Sequence, residues 1–150
     1  MSGRRTRGIP PQVDRERPHL VDSSVWIDWL RDVPGPATKG LDTLLDSGAQ
    51  IATTEPVVME LLAGAHGSRA LDQIGKMLTG LPVLSVATHL DFHHAAALYR
   101  DARSGGRTVR KLMDCLIGAV ALRNDAILVH KDADFDAIAD LMQVRWVSYC

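Results

Sequence analysis

The sequence lacks the features that mark membrane, exported and disulfide-rich proteins. None of its apolar runs approaches the length needed to span a membrane. The basic start, with Arg4, Arg5 and Arg7, is followed by glycine and two prolines where a secretory signal needs an apolar stretch, so we expect no export. The two cysteines, Cys115 and Cys150, give neither a disulfide framework nor the spacing of a zinc site. These absences favour a cytoplasmic protein that does not bind a membrane.

Length and charge predict one acidic domain behind a basic arm. A chain of 150 residues can bury one substantial core but not two. Residues 1–18 contain five arginines and two acidic residues, so the remaining residues, with twelve basic and sixteen acidic side chains, carry net negative charge. Because prolines and glycines interrupt the arm, we expect residues 1–18 to be a disordered tail and residues 19–150 to form the domain.

Strand and helix signals alternate along the chain. Apolar runs typical of strands occupy residues 19–21, 49–53, 80–86, 126–130 and 144–148, and amphipathic helical patterns separate them. This alternation predicts a single α/β domain with a parallel sheet of about five strands. Four strands are expected in its core and the last at an edge, with helices on both faces of the sheet. No internal repeat or low-complexity segment is present.

Two acidic residues stand where predicted strands end. Asp22 follows the first strand, and Asp132 follows the strand over 126–130. The carboxyl ends of parallel strands meet at one edge of a sheet, and ligands bind beyond that edge in such folds. Each acid also has a simpler interpretation, because aspartates commonly cap the helix that follows.

Two further acids lie in helices that are otherwise apolar. Glu60 shares a helical stripe with Val57 and Leu61, and Asp114 begins a helix that is apolar on nearly every face. An unpaired carboxylate is costly to bury, so each would need a cation or hydrogen bonds. Alternatively, Glu60 lies at the edge of its stripe, and the helix dipole tolerates Asp114.

Together the four acids favour one acidic pocket over four unrelated positions. A pocket of carboxylates and serines, without a cysteine or an obvious histidine partner, suits Mg²⁺ or Mn²⁺ rather than zinc. His89 and His93 are one helical turn apart but lack a third ligand, so we interpret them as part of a solvated face. Because Mg²⁺ is often shared with substrate phosphates, the pocket predicts phosphodiester chemistry.

Four segments resemble the PIN-domain ribonucleases of the VapC type, which are the toxins of type II toxin-antitoxin pairs. They are residues 21–27 (VDSSVWI), 55–64 (EPVVMELLAG), 114–121 (DCLIGAVA) and 129–135 (VHKDADF). The resemblance extends over about residues 19–148. It implies a Mg²⁺-dependent endoribonuclease with a PIN-like fold, a homodimer, and a cognate VapB-type antitoxin whose tail blocks the acidic pocket.

The resemblance also implies the residues of the site. The catalytic set is Asp22, Glu60, Asp114 and Asp132, and the metal ligands are Asp22, Asp114, Asp132 and Asp134. Between the last two acids we favour Asp132 as the fourth member of the pocket, because it lies nearer the strand end. Ser24 is expected to hold Asp22 or a metal-bound water. The basic residues Arg107, Arg110 and Lys111 either form a helix surface or contact RNA phosphates beside Asp114.

Two other classes of protein serve as alternatives. A non-nuclease doubly wound domain with an acidic Mg²⁺ pocket, receiver-like or phosphatase-like, would carry an early pair of acids. The segment Asp22-Ser23-Ser24 lacks the second acid. A pure interaction protein gives no reason for Glu60 and Asp114 in apolar stripes. We therefore expect cleavage of cellular RNA, with tRNA or rRNA as the substrate class.

Overall fold

A computed structural model describes residues 14–107, 111–132, 136, 141 and 145–149. Within these residues it contains four strands and six helices. In chain order they are β1 (His19–Val21), α1 (Ser23–Leu30), α2 (Pro36–Asp46), β2 (Ile51–Ala52), α3 (Glu55–Ala63), α4 (Ser68–Thr79), α5 (Thr88–Ser104), α6 (Leu112–Arg123), β3 (Ile127–His130) and β4 (Arg145–Ser148). None of the helices in the described ranges is long and apolar enough to cross a membrane.

The four strands form one parallel sheet in the order β2-β1-β3-β4. Leu20 of β1 pairs with Ala52 of β2 on one side and with Leu128 of β3 on the other. Every residue of β1 and β3 is buried. Because successive side chains of a strand point to opposite faces, both faces of the sheet must be covered. The predicted α/β fold, with a parallel sheet between helices, is confirmed.

The prediction of a full strand over residues 80–86 is wrong. The structure has a single parallel bridge there, between Thr53 and Val83. The Thr53 amide donates to the Pro82 carbonyl at 3.0 Å, and the Leu84 amide donates to the Thr53 carbonyl at 2.7 Å. The next hydrogen bond toward the amino end of this segment would need an amide hydrogen at Pro82, and proline has none. The sheet of the described residues therefore has four strands rather than about five.

Helix α6 lies at the centre of the core. Its residues from Asp114 to Ala121 are all buried, which is the burial on more than one side that the apolar sequence predicts. Trp26 of α1, Ile117 of α6 and Leu128 of β3 are among the largest side chains with almost no exposed surface. The first turns of α1 and α6 are thereby fixed against the sheet, beside the carboxyl ends of β1 and β3.

A glycine in α2 permits close packing at the end of β4. A Cβ atom built on Gly40 would overlap the ring of Tyr149. We expect Gly40→Ala to destabilise the fold, because an overpacking cost of about 1–3 kcal/mol exceeds the roughly 0.5–1 kcal/mol by which alanine favours a helix. The matched control is Gly75→Ala in α4, where nothing lies within 4 Å, and it should stabilise. Urea denaturation of both variants measures the difference, and equal stabilisation would contradict the packing argument.

Candidate active site

Asp22 caps α1 with one carboxylate oxygen and leaves the other without a partner. Its Oδ2 accepts hydrogen bonds from the Ser24 amide at 3.1 Å and from the Ser24 hydroxyl at 2.6 Å. Its Oδ1 is buried and has no hydrogen-bond partner among the described residues. Burial raises the pKa of Asp22 above its usual range, against the lowering effect of the Ser24 hydrogen bonds. The capping interpretation therefore accounts for Oδ2 of this carboxylate but not for Oδ1.

Ser24 joins the ends of two neighbouring strands. While its hydroxyl donates to Asp22, the same oxygen accepts the amide hydrogen of Lys131 at 3.1 Å. Lys131 directly follows β3 and directly precedes Asp132. This serine therefore couples the position of Asp22, after β1, to the backbone that carries Asp132.

Glu60 faces the same edge from α3. Its side chain is half-buried, and its Oε1 is buried without a hydrogen-bond partner in the described part of the chain. Burial and then the charge of Asp22 raise the pKa of Glu60, while Lys111 and a hydrogen bond with the Ser23 side chain lower it. Ser23 was not assigned a role from the sequence. Its only signal there is its place between Asp22 and Ser24.

Asp114 lies in the first turn of α6 and is almost completely buried, with 3% of its surface exposed. Its Oδ2 has no hydrogen-bond partner among the described residues. Burial, followed by the charges of Asp22 and Asp132, raises the pKa of this carboxyl to about 8. A carboxylate that was simply favoured by the helix dipole would be stabilised in its charged form instead.

Four carboxylates share one electrostatic environment. Asp132 raises the pKa of Asp22, of Glu60 and of Asp114, and Asp22 raises those of Glu60 and Asp114. Lys111 opposes this effect at Glu60 and Asp114, and its Nζ lies 3.9 Å from Asp132 Oδ2. Like charges perturb one another in this way only over short distances. The structure thus brings Asp22, Glu60, Asp114 and Asp132 to one edge of the sheet.

The cluster is open rather than a preformed cage. Among the described residues, no three side chains of the His, Cys, Asp and Glu types form a ready-made coordination geometry. Mg²⁺ keeps several of its waters and binds through one or two carboxylates, so it does not require a preformed cage. Asp22 Oδ1, Glu60 Oε1 and Asp114 Oδ2, which are buried without a hydrogen-bond partner among the described residues, are the atoms that a cation would satisfy.

Of the other predicted site residues, the structure describes two, and the other two lie outside the described residues. Lys111 lies beside Asp132. Arg107 is exposed in the segment after α5, and its backbone amide donates to the Ala102 carbonyl at 2.8 Å. Asp134 and Arg110 lie outside the described residues.

The family of the chain follows from its similarity to known proteins. The family model of the PIN domain matches residues 19–141, so the chain belongs to the PIN-domain family. It is 40% identical over 131 residues to VapC ribonuclease Mb1587 of Mycobacterium bovis and to ribonuclease VapC11 of Mycobacterium tuberculosis. This alignment covers 87% of the chain and 98% of each relative, which places the chain with the VapC ribonucleases within that family.

Solved structures share the fold. VapBC2 from Rickettsia felis, bound to a DNA fragment from its promoter, contains a chain that matches with a TM-score of 0.71 at 17% identity. The match covers 89% of this chain and 99% of that one. The predicted resemblance to the VapC type is therefore confirmed by sequence, and the PIN-like fold by structure.

Proposed function

We propose that this protein is a Mg²⁺-dependent endoribonuclease and the toxic component of a type II toxin-antitoxin system. The observation that carries the proposal is that three acids whose charges act on one another each keep a buried oxygen without a hydrogen-bond partner in the described residues. These atoms are Asp22 Oδ1, Glu60 Oε1 and Asp114 Oδ2. Retaining such atoms is costly unless a cation completes the site. The 40% identity to named ribonucleases supports the same conclusion.

The acids fit a hard divalent cation. Asp22, Asp114 and Asp132, with Asp134 as a further ligand, would hold Mg²⁺, and Mn²⁺ could replace it because both prefer oxygen ligands. When bound, the cation would supply an activated water for in-line attack on a phosphodiester and neutralise charge on the scissile phosphate. Glu60 is proposed to move a proton, and burial raises the pKa of its carboxyl above that of an ordinary glutamate.

Neighbouring polar residues would hold the acids in place and bind the substrate. The Ser24 hydroxyl fixes Asp22 Oδ2, and this leaves Oδ1 directed away from the cap. Lys111, close to Asp132, would contact a substrate phosphate, together with Arg107 and Arg110. Since the protein would act on cellular RNA, tRNA or rRNA is the proposed substrate class.

The proposed partner is a VapB-type antitoxin. The solved relatives from Rickettsia felis and Salmonella typhimurium are described as VapBC bound to DNA. By analogy, a cognate antitoxin would place its tail over the acidic edge of the sheet, and the toxin would form a homodimer in the cytoplasm. A basic side chain in that tail would satisfy the cluster as a metal does.

Cleavage of end-labelled RNA tests the proposed function. Purified protein should cut RNA in Mg²⁺ or Mn²⁺ and lose activity in EDTA, while DNA of the same sequence should remain intact. Sequencing the 5′ ends of cellular RNA after induced expression would then identify the substrate. Metal-independent cleavage, or no cleavage of any cellular RNA, would contradict the proposal. Stable phosphorylation of the protein by a phosphodonor would favour the receiver-like alternative.

The basic arm is proposed to have no catalytic role, and the structure indicates where to truncate it. Arg17 bonds to Asp14 and to Asp125, each at 3.0 Å, and the Pro18 carbonyl accepts the Ile127 amide. We therefore expect deletion of residues 1–13 to leave the cleavage rate of bound RNA unchanged. It should weaken binding at low salt and reduce the salt slope by up to about 0.7 per lost phosphate contact.

Measurements of RNA binding between low and high salt test this expectation. Replacing Arg4, Arg5 and Arg7 by glutamine in the full chain is the matched control, because it removes charge without shortening the arm. A large loss of the single-turnover cleavage rate in the truncated protein would contradict a merely electrostatic role.

A further inference from the structure

A fully buried histidine ends β3 and contacts the backbone of the acid that follows. His130 has no exposed surface. Its ring nitrogen Nδ1 lies 3.2 Å from the Asp132 amide nitrogen, which donates to it. The strand end is itself held in place, because the His130 carbonyl accepts the Tyr149 amide and the Val129 carbonyl accepts the Asp22 amide. The imidazole is therefore a hydrogen-bond acceptor for the backbone directly after the strand.

The hydrogen-bond pattern assigns the tautomer of the ring. Because Nδ1 accepts a hydrogen from Asp132, it carries a lone pair, and in the neutral imidazole the proton then lies on Nε2. That nitrogen lies 3.5 Å from Asp136 Oδ1. The ring thus accepts a hydrogen bond from the backbone of Asp132 on one side and lies close to the Asp136 carboxylate on the other, at a distance too long and unaligned for a hydrogen bond between the two. Carboxylates beside a ring nitrogen commonly fix the orientation of functional histidines.

Charges of both signs surround Asp132, so the placement of its backbone helps to decide where its carboxylate lies. It is repelled by Asp22 and Asp114, whose pKa values it raises, and it is attracted by the exposed Lys111. It also lies beyond the last residue of β3, outside the regular ladder. A carboxylate on irregular backbone, among like charges, would turn toward the lysine and solvent unless its main chain were held.

We propose that His130 is a positioning residue that fixes the backbone of Asp132, so that its carboxylate stays with those of Asp22 and Asp114, and that Asp136 orients the ring. The inference rests on the proposed metal site. It assigns to the chain a second support for the backbone of the fourth acid, beside the hydrogen bond from the Lys131 amide to Ser24. Residues that orient metal ligands are typically responsible for about 10–100-fold in metal affinity or activity.

Mn²⁺ binding, measured by electron paramagnetic resonance, tests this role without an RNA substrate. We expect His130→Leu, which replaces the imidazole by an apolar side chain of similar size, to weaken Mn²⁺ binding about 10–100-fold. His130→Asn should recover most of the affinity, because its amide oxygen can take the place of Nδ1. The RNA cleavage rate of His130→Leu should fall below that of the wild type most strongly at low Mn²⁺ concentration. Its KM for RNA should change little.

A second buried histidine provides a matched control. His19 of β1 also has no exposed surface, but it lies at the opposite end of the sheet, where its Nδ1 faces the Gln50 carbonyl at 3.2 Å. His19→Leu should leave Mn²⁺ affinity within about twofold of the wild type, since it touches no residue of the acidic cluster. Asp136→Ala, at a less buried position, should weaken binding several-fold even if His130→Leu does not fold.

The outcomes separate this inference from the proposed function. If the wild type binds no Mn²⁺ and cuts no RNA, the metal site itself is wrong. If the wild type binds Mn²⁺ but His130→Leu and Asp136→Ala bind it equally well, the positioning role is wrong and the metal site stands. A loss in His130→Leu that His130→Asn does not restore would also overturn the role, because it would indicate a packing effect.

Discussion

Replacing Asp22 by alanine, or Asp114 by asparagine, is expected to lower Mg²⁺-dependent RNA cleavage by at least about a hundredfold to a thousandfold. Each residue has a buried carboxylate oxygen that lacks a hydrogen-bond partner among the described residues, so each change removes a proposed ligand from the cluster. In cells without the antitoxin, either substitution should relieve growth arrest. Single-turnover cleavage of labelled RNA and growth after induction measure the two effects.

Two other aspartates serve as controls for this loss. Asp72 is exposed on α4, and Asp91 is buried but paired with Arg123 at 3.0 Å. Asp72→Asn should retain full activity, and the folded fraction of Asp91→Asn should do so as well. Full toxicity of a correctly folded Asp22→Ala or Asp114→Asn protein would remove the proposed metal site.

The same Asp114→Asn substitution should raise the melting temperature of the metal-free protein. The pKa of Asp114 is raised to about 8 in the fold, against 3.8 for an ordinary aspartate, so the native state binds a proton that the unfolded chain has lost. Wild-type stability therefore falls as pH rises from about 4 to about 8, and asparagine does not titrate. The free energy of unfolding of Asp114→Asn should equal that of the wild type near pH 4 and exceed it by a few kcal/mol near pH 8. Each kcal/mol corresponds to roughly 2–4 °C in melting temperature.

In Mg²⁺ the wild type, rather than Asp114→Asn, should have the higher melting temperature. An ion that binds only the native state stabilises it by roughly 1 to 3 kcal/mol when its concentration is about ten- to a hundredfold above Kd. The wild type should gain this stabilisation in Mg²⁺, and Asp114→Asn should lose most of it. Asp91→Asn is the matched control, because removing a paired carboxylate should destabilise the fold both in EDTA and in Mg²⁺. A destabilised Asp114→Asn protein, with no metal dependence in either protein, would contradict the acidic cluster.

Much of the site could be predicted because its acids break strong local patterns. Asp22 ends an apolar strand, and Glu60 and Asp114 interrupt helices that the core requires to be apolar. In a parallel sheet these positions converge on one edge, so local signals were sufficient. The expected capping role of Asp22 also exists, because one oxygen caps α1 while the other faces the cluster.

The remaining features depend on contacts that no local pattern encodes. Ser24 bonds to Lys131, 107 positions away along the chain. The sequence shows His130 only as a polar residue at the end of an apolar strand. Its contact with Asp132 depends on the backbone conformation of residues 130–132. Residues 80–86 have the composition of a strand, but Pro82 lacks the amide hydrogen that a second backbone pairing beside Thr53–Val83 needs. Packing and backbone geometry decide these cases.

The central claim is that four separated segments of the chain share one divalent cation. Fe²⁺ bound in place of Mg²⁺ generates hydroxyl radicals with peroxide and ascorbate, and these radicals cut the polypeptide close to the ion. Mass spectrometry of the fragments should locate cuts near Asp22, Glu60, Asp114 and Asp132, and excess Mg²⁺ should suppress them together. Cuts confined to α5 around His89 and His93, or scattered cuts that Mg²⁺ does not suppress, would contradict the account.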